Sequence, residues 1–175
     1  MQQEAQLVIT APQPYGTELA YRTRCRTTLG VLTQLMAQAK THVVISAPFL
    51  QAGEGISSGA LSVALHAALR RGVDVDIVST GQGLQTVDTS GLQHQAKGRL
   101  RLFRPQANIT NERHLGSHAK FCLADQDNAY VGSANLTGPG LSGHLEMGLL
   151  VKGEVARNIG TFWLYCLEVG LFVLV

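Results

Sequence analysis

His118-Ala119-Lys120-Phe121-Cys122-Leu123-Ala124-Asp125-Gln126-Asp127-Asn128-Ala129-Tyr130-Val131-Gly132-Ser133-Ala134-Asn135 reads as two short strands joined by a tight turn. Side chains alternate along a strand, so a strand from His118 to Ala124 sends His118 and Lys120 to one face while Phe121 and Leu123 enter the core. An imidazole and an ammonium then stand side by side. The turn at Gln126-Asp127-Asn128 leads into a second strand, Ala129 to Gly132, which delivers Ser133 and Asn135 at its end. Asp125, at a strand end before a turn, reads as a structural residue that caps backbone amides, and Gly132 as a structural part of the same block.

Downstream, Leu145 to Val151 reads as a third strand of this group. Leu145, Met147 and Leu149 share one face and Glu146 takes the other, where its carboxylate can reach His118. Upstream, Leu29, Leu32, Leu35, Met36 and Ala39 recur at helical spacing, and His42 to Ala47 follows as a short buried strand. The alternation repeats with a helix over Gly59 to Arg71, a strand over Val73 to Val78, a helix between Leu84 and Lys97, and a strand over Leu100 to Phe103. Helices alternating with strands predict an α/β fold with a mixed, largely parallel β-sheet flanked by helices. Pro105 to Ser117 is the one long loop, and it leads into His118. Thr161 to Val175, apolar apart from Glu168, is too short for a transmembrane helix and reads as a closing element packed on the core or buried between subunits.

Taken one at a time, the polar residues have ordinary readings: a surface histidine, a solvated lysine, a Gly-Ser-x-Asn turn. At this spacing, with a carboxylate on a later strand, they supply a nucleophile, a fixed cation and two hydrogen-bond donors for a phosphodiester. The block His118-x-Lys120-x4-Asp125-x6-Gly132-Ser133-x-Asn135 resembles the signature of the phospholipase D superfamily at every signature position, and the superfamily has a glutamate in the place of Glu146. Ile45-Ser46-Ala47-Pro48-Phe49 and the segment Arg70 to Val75 resemble the non-catalytic half of such a domain. Leu7 to Pro12 and the Gly132 to Gly138 context further resemble the phospholipase-D-like component of the DISARM antiphage system.

The resemblance implies a phosphodiesterase, with a nuclease ahead of other activities, working by double displacement and without metal or other cofactor. His118 would attack phosphorus to form a phosphohistidine, and a second histidine would protonate the leaving oxygen and later activate water. Lys120 and Asn135, supported by Ser133, would hold the non-bridging oxygens, and Glu146 would accept a hydrogen bond from the other ring nitrogen of His118. No other histidine has a lysine two places on, so a homodimer with a shared active site is expected to supply the second histidine. The implied partners are nucleic acid, with DNA ahead of RNA, and the proteins of a defence system. A phospholipase-type lipid hydrolase and a non-catalytic nucleic-acid-binding subunit of a defence complex are the alternatives.

Composition bounds these readings. With 175 residues, 45% of them hydrophobic and 15% charged, the chain suits a single domain over residues 1–175 and excludes a disordered protein. A net charge of +2 permits a polyanionic substrate without demanding one. Lys97, Arg99, Arg101 and Arg104 form the densest basic stretch, and Arg99, Arg101 and Arg104 are candidate nucleic-acid-binding residues, weighed against a solvated sheet edge. The three cysteines form no C-x-x-C pair, which predicts a reducing compartment, and the amino terminus lacks a secretory pattern, which predicts a cytoplasmic protein without membrane attachment. His114 and His118, four apart with Glu112 nearby, offer a weak metal pair, and Gly53-x-Gly55-x3-Gly59 has the wrong spacing for a dinucleotide-binding turn.

Overall fold

The computed structural model describes residues 5–51, 55–109 and 116–175. In chain order the elements are β1 (Ala5–Thr10), α1 (Tyr15–Thr23), β2 (Arg26–Thr27), α2 (Thr28–Gln38), β3 (His42–Ser46), α3 (Gly59–Arg71), β4 (Asp74–Val78), α4 (Gly81–Leu84), α5 (Thr89–Gln93) and β5 (Leu100–Pro105). Among the described residues a 3-10 turn, Ala107–Ile109, follows, then β6 (Phe121–Ala124), β7 (Asn128–Gly132), a π-helical turn (Pro139–Gly143), β8 (Glu146–Lys152), α6 (Glu154–Glu168) and β9 (Phe172–Leu174).

Nine strands make one sheet in the order β2-β1-β8-β7-β6-β3-β4-β5-β9. The expected α/β class and flanking helices are present, but antiparallel ladders outnumber parallel ones, against the expectation of a largely parallel sheet. Parallel pairing holds for β3-β4-β5, where helices make the crossovers. The short β2 is also parallel to β1, across α1; elsewhere the chain reverses. The three-residue turn between β6 and β7 forces a hairpin, and the amino-terminal β1 inserts antiparallel beside β8. Of the helix expected between Leu84 and Lys97 only the short α5 forms, since α4 ends at Leu84 and Asp88 caps a new start by accepting from Gly91 N at 2.9 Å.

Two apolar layers sandwich the sheet. On one side α2 and α3 bury Leu32, Met36, Leu61, Leu65 and Leu69 against Val43, Ile45, Val75 and Ile77. On the other, α6 places Trp163 and Cys166 on Val44, Phe103, Leu123 and Phe172. Trp163 lies edge-on to Phe103 at 5.4 Å and tilted to Phe172 at 5.6 Å, which fastens β9 as an added edge strand beyond β5. Thr161 to Val175 is therefore the end of α6 followed by β9, and it closes the core as expected for this segment. No helix among the described residues is long and apolar enough to cross a membrane. Gly53, Glu112 and His114 lie outside the described residues.

Candidate active site

The strand β6 begins at Phe121, so His118, Ala119 and Lys120 precede it rather than forming its first residues as expected. The segment is still held from both sides. Gly132 N, at the end of β7, donates to Lys120 O at 3.2 Å, and Ser46 Oγ, at the end of β3, donates to Ala119 O at 3.0 Å. His118 thus emerges at the rim of the sheet, exposed, while Lys120 is 7% exposed. Lys120 Nζ stands 3.2 Å from both ring nitrogens of His118 and donates to His118 O at the same distance. Burial pushes the Lys120 ammonium below the ordinary lysine range, and the charge of Glu146 acts in the opposite direction.

Gly132 and Gly148 face each other across β7 and β8. A Cβ on Gly132 would come within 2.9 Å of Gly148 Cα, so the two strands close up only because both positions are glycine. Beyond them the chain turns out of the sheet. Ser133 N donates to Met147 O at 3.0 Å, and the hydroxyl of Ser133 donates to Glu146 Oε2 while accepting from Met147 N at 3.1 Å. Among the described residues no hydrogen bond joins Glu146 to His118: the carboxylate expected to orient the histidine is taken by Ser133, because Ser133 lies next to β8 and His118 does not. His144 Nδ1 stands 3.9 Å from Glu146 Oε1. Asn135 is half-buried, and its Oδ1 is enclosed without a hydrogen-bond partner among the described residues.

Asp125 sits at the far end of β6 with φ 51°, followed by Gln126 at φ 62°. Its carboxylate accepts from the amides of Lys40 (2.7 Å), Thr41 (2.8 Å) and His42 (3.0 Å) and from Thr41 Oγ1 (2.8 Å), pinning the α2–β3 turn to the β6–β7 turn. Burial alone would raise this carboxyl, but the amide donors outweigh it and hold it below the usual carboxylate range.

The basic stretch is not gathered at His118. In the sheet register Arg101 is level with Asp76, Val44 and Leu123, and Arg99 lies nearer still to the Asp125 end. Both guanidiniums are engaged there. Arg99 forks onto Asp74 (2.6 and 2.9 Å) and Arg101 onto the buried Asp76 (2.6 and 3.1 Å), which His42 Nε2 also approaches at 3.0 Å. The Arg99 guanidinium beside Asp74 holds that carboxyl below its ordinary value. Two carboxylates on β4, Asp74 and Asp76, stand in step with Arg99 just before β5 and Arg101 within it, and draw these side chains into ion pairs. Arg104 alone of the three is exposed at the His118 end, three strands from β6.

A cleft of about 340 Å³ opens beside His118 and Lys120 under α6 and includes Phe121, Val131, Gly132 and Phe162. The apolar wall was not anticipated from the sequence, since Phe162 reaches it only through the packing of α6. Among the described residues no three His, Cys, Asp or Glu side chains are grouped to hold a metal ion.

No curated protein matches the chain in sequence. Among solved structures, the chain resembles the phospholipase D family member Nuc from Salmonella typhimurium, with a TM-score of 0.64 and 20% identity over 98% of this chain and 97% of that one. NucT from Helicobacter pylori superposes with a TM-score of 0.62 at 17% identity over 94% and 97%. A phosphatidylserine synthase from Haemophilus influenzae Rd KW20 gives 0.66 at 12% identity, over 98% of this chain and 39% of that one. These likenesses concern the fold. The family model for the PLD-like domain of cardiolipin synthase matches residues 32–161, a span that holds the His118–Lys120 pair, the Ser133–Glu146 contact and Asn135, so this chain belongs to the PLD-like domain family within the phospholipase D superfamily.

Proposed function

We propose that the protein is a metal-independent phosphodiesterase acting on nucleic acid, with His118 as nucleophile. The observation that carries this reading is the pairing of an exposed imidazole with a buried lysine 3.2 Å away at the open end of a sheet. Buried ammonium next to an accessible imidazole suits attack on a phosphodiester, because the cation meets the charge that builds on the non-bridging oxygens. Asn135 follows β7 and adds its side-chain amide as a donor, whereas the Ser133 proton is given to Glu146. In this scheme the imidazole nitrogen bonds to phosphorus as the first alkoxide leaves, and water then displaces the imidazole. Ser133 fixes Glu146, whose negative charge favours the protonated Lys120.

The first displacement needs an acid for the leaving oxygen, and a second copy of the chain would bring another His118. Val131 and Leu149 face each other across β7 and β8, and with Leu145, Met147 and Phe162 they remain 42–69% exposed beside the cleft. Such an uncovered apolar strip supports a two-fold pairing that joins two sites. NucT and Nuc carry names that point to nucleases, and this favours nucleic acid over lipid. A place in phage defence rests on the Leu7 to Pro12 and Gly132 to Gly138 resemblance.

The test is incubation of purified protein, in chelator, with labelled single- and double-stranded DNA, RNA and phosphatidylcholine. Cleavage of a nucleic acid is expected. Release of choline alone would turn the reading to a lipid hydrolase, and binding without cleavage to a non-catalytic subunit.

A further inference from the structure

A second cavity, about 450 Å³, lies on the other side of Glu146 from His118, and neither the fold nor the proposed chemistry uses it. Its size falls within the range of sites that hold small ligands. One wall is α1, a helix none of whose residues is buried. Gly16 and Ala20, four apart on that helix, face the space together, and their small side chains leave it open. Ile9, Leu29 and Leu141 supply apolar surface, whereas Gln13, Thr17 and Ser142 supply amide and hydroxyl groups; no residue of the lining carries a charge.

Thr10 connects this space to the site. It lies directly opposite Glu146 in the β1–β8 ladder, so the two side chains share a face one strand apart. Thr10 also lines the cavity, is 5% exposed, and has an enclosed Oγ1 with no hydrogen-bond partner among the described residues. A buried hydroxyl left unpaired is costly, and a ligand with a matching acceptor or donor relieves that cost. Leu141 and Ser142 belong to the π-helical turn that follows Asn135, so the wall of the cavity and the rim of the site are one continuous segment.

We propose that this cavity receives a neutral nucleobase of the strand whose phosphodiester lies at His118, which makes it a base-recognition subsite one strand from Glu146 and three strands from β6, where the reacting phosphate lies. The proposal rests on the phosphodiesterase reading above. A phosphate is excluded because the lining holds no cation. An acyl chain would match Ile9, Leu29 and Leu141 but would leave the enclosed Thr10 hydroxyl unpaired and offer nothing to the Gln13 amide. A base has an apolar face and edge groups that both donate and accept, which fits both halves of the lining.

Cys25 gives a readout that needs no turnover. It lines the cavity and is half-buried, whereas Cys122 and Cys166 are buried and burial pushes the Cys122 thiol up to about 12. Modification of the intact protein with a chromogenic disulfide should therefore show one fast thiol, lost in Cys25→Ser. Adenosine, guanosine, cytidine and thymidine are then added singly, with decanol as the acyl probe. At tenfold excess over its dissociation constant, a nucleoside that fills the cavity slows the fast phase about tenfold.

Ala20→Phe, which fills the space from the exposed helix, should remove the protection and lower the preference for a short oligonucleotide over its abasic counterpart about tenfold or more, as expected for loss of a buried, hydrogen-bonded contact. Thr10→Val keeps the shape and removes the hydroxyl, and it should weaken protection even if Ala20→Phe fails to fold. Unchanged Cys25 reactivity at saturating nucleoside in an active enzyme overturns the base subsite, as does protection by decanol alone. Protection by nucleosides in a protein that cleaves no phosphodiester supports the subsite and overturns the proposed activity instead.

Discussion

Ser133 holds the carboxylate of Glu146: its hydroxyl donates to Oε2, and the same oxygen accepts the Met147 N–H at 3.1 Å. The backbone of β8 thereby orients the serine, and the serine orients the acid. Ser133→Ala and Glu146→Gln should each lower the maximal rate of phosphodiester cleavage with little effect on folding. Because the two act as one unit, the double variant should be only slightly slower than the worse single one. Additive losses in a double-mutant cycle would show that the two residues work separately.

His118→Ala should abolish turnover and leave the melting temperature near that of wild type, since the side chain is exposed and fills no core space. Lys120→Ala and Asn135→Ala should each cost on the order of 10²-fold in kcat, as for a lost oxyanion donor. Circular dichroism with single-turnover kinetics checks both statements. Residual hydrolysis by a folded His118→Ala protein within about tenfold of wild type would exclude it as nucleophile.

The alkaline limb of activity reports Lys120. Burial lowers its pKa, so the ammonium loses its proton below the ordinary lysine range and the rate falls as pH rises through that lowered value. Lys120→Arg, which stays charged, should remove the alkaline limb even at reduced rate. An identical limb in that variant would assign the titration to another group.

Mixing wild type with excess His118→Ala subunits under exchange conditions should suppress activity beyond simple dilution, because a mixed dimer keeps one of two histidines. Met147→Glu or Leu149→Lys, on the exposed strip, should weaken the dimer and the activity together. Sedimentation at assay concentration gives the check: a fully active monomer would remove the shared site and turn attention to His144, which lies 3.9 Å from Glu146.

Asp125→Asn should destabilise the fold by on the order of 2 kcal/mol through charge-assisted bonds to three amides and a hydroxyl. The folded carboxyl titrates below its unfolded value, so the unfolded chain binds more protons in acid. The stability difference between wild type and Asp125→Asn should therefore be constant above about pH 4 and shrink as pH falls through the lowered pKa. Denaturant titrations at pH 7 and pH 3 decide it, and a difference unchanged between the two would mean that the carboxylate charge is not what matters.

Local chemistry carried much of this protein in the open. Local pattern alone marks α2, β3, α3, β4 and β5, because the helices bury one face each and β3 and β4 are short apolar runs buried on both, and the fixed spacing from His118 to Asn135 marks the family, because a hairpin brings residues seventeen apart to one rim. Pairing between distant strands was beyond its reach. Nothing in Leu7 to Thr10 says that β1 will run antiparallel beside β8 and set Thr10 against Glu146, and nothing in Arg99 or Arg101 says that Asp74 and Asp76 will be waiting one strand away. Register decides such partners, and register follows from how all nine strands share two buried faces. The same reason explains Glu146: its face on β8 was legible, but whether its carboxylate met His118 or Ser133 depended on where His118 leaves the sheet, which only the packed structure determines.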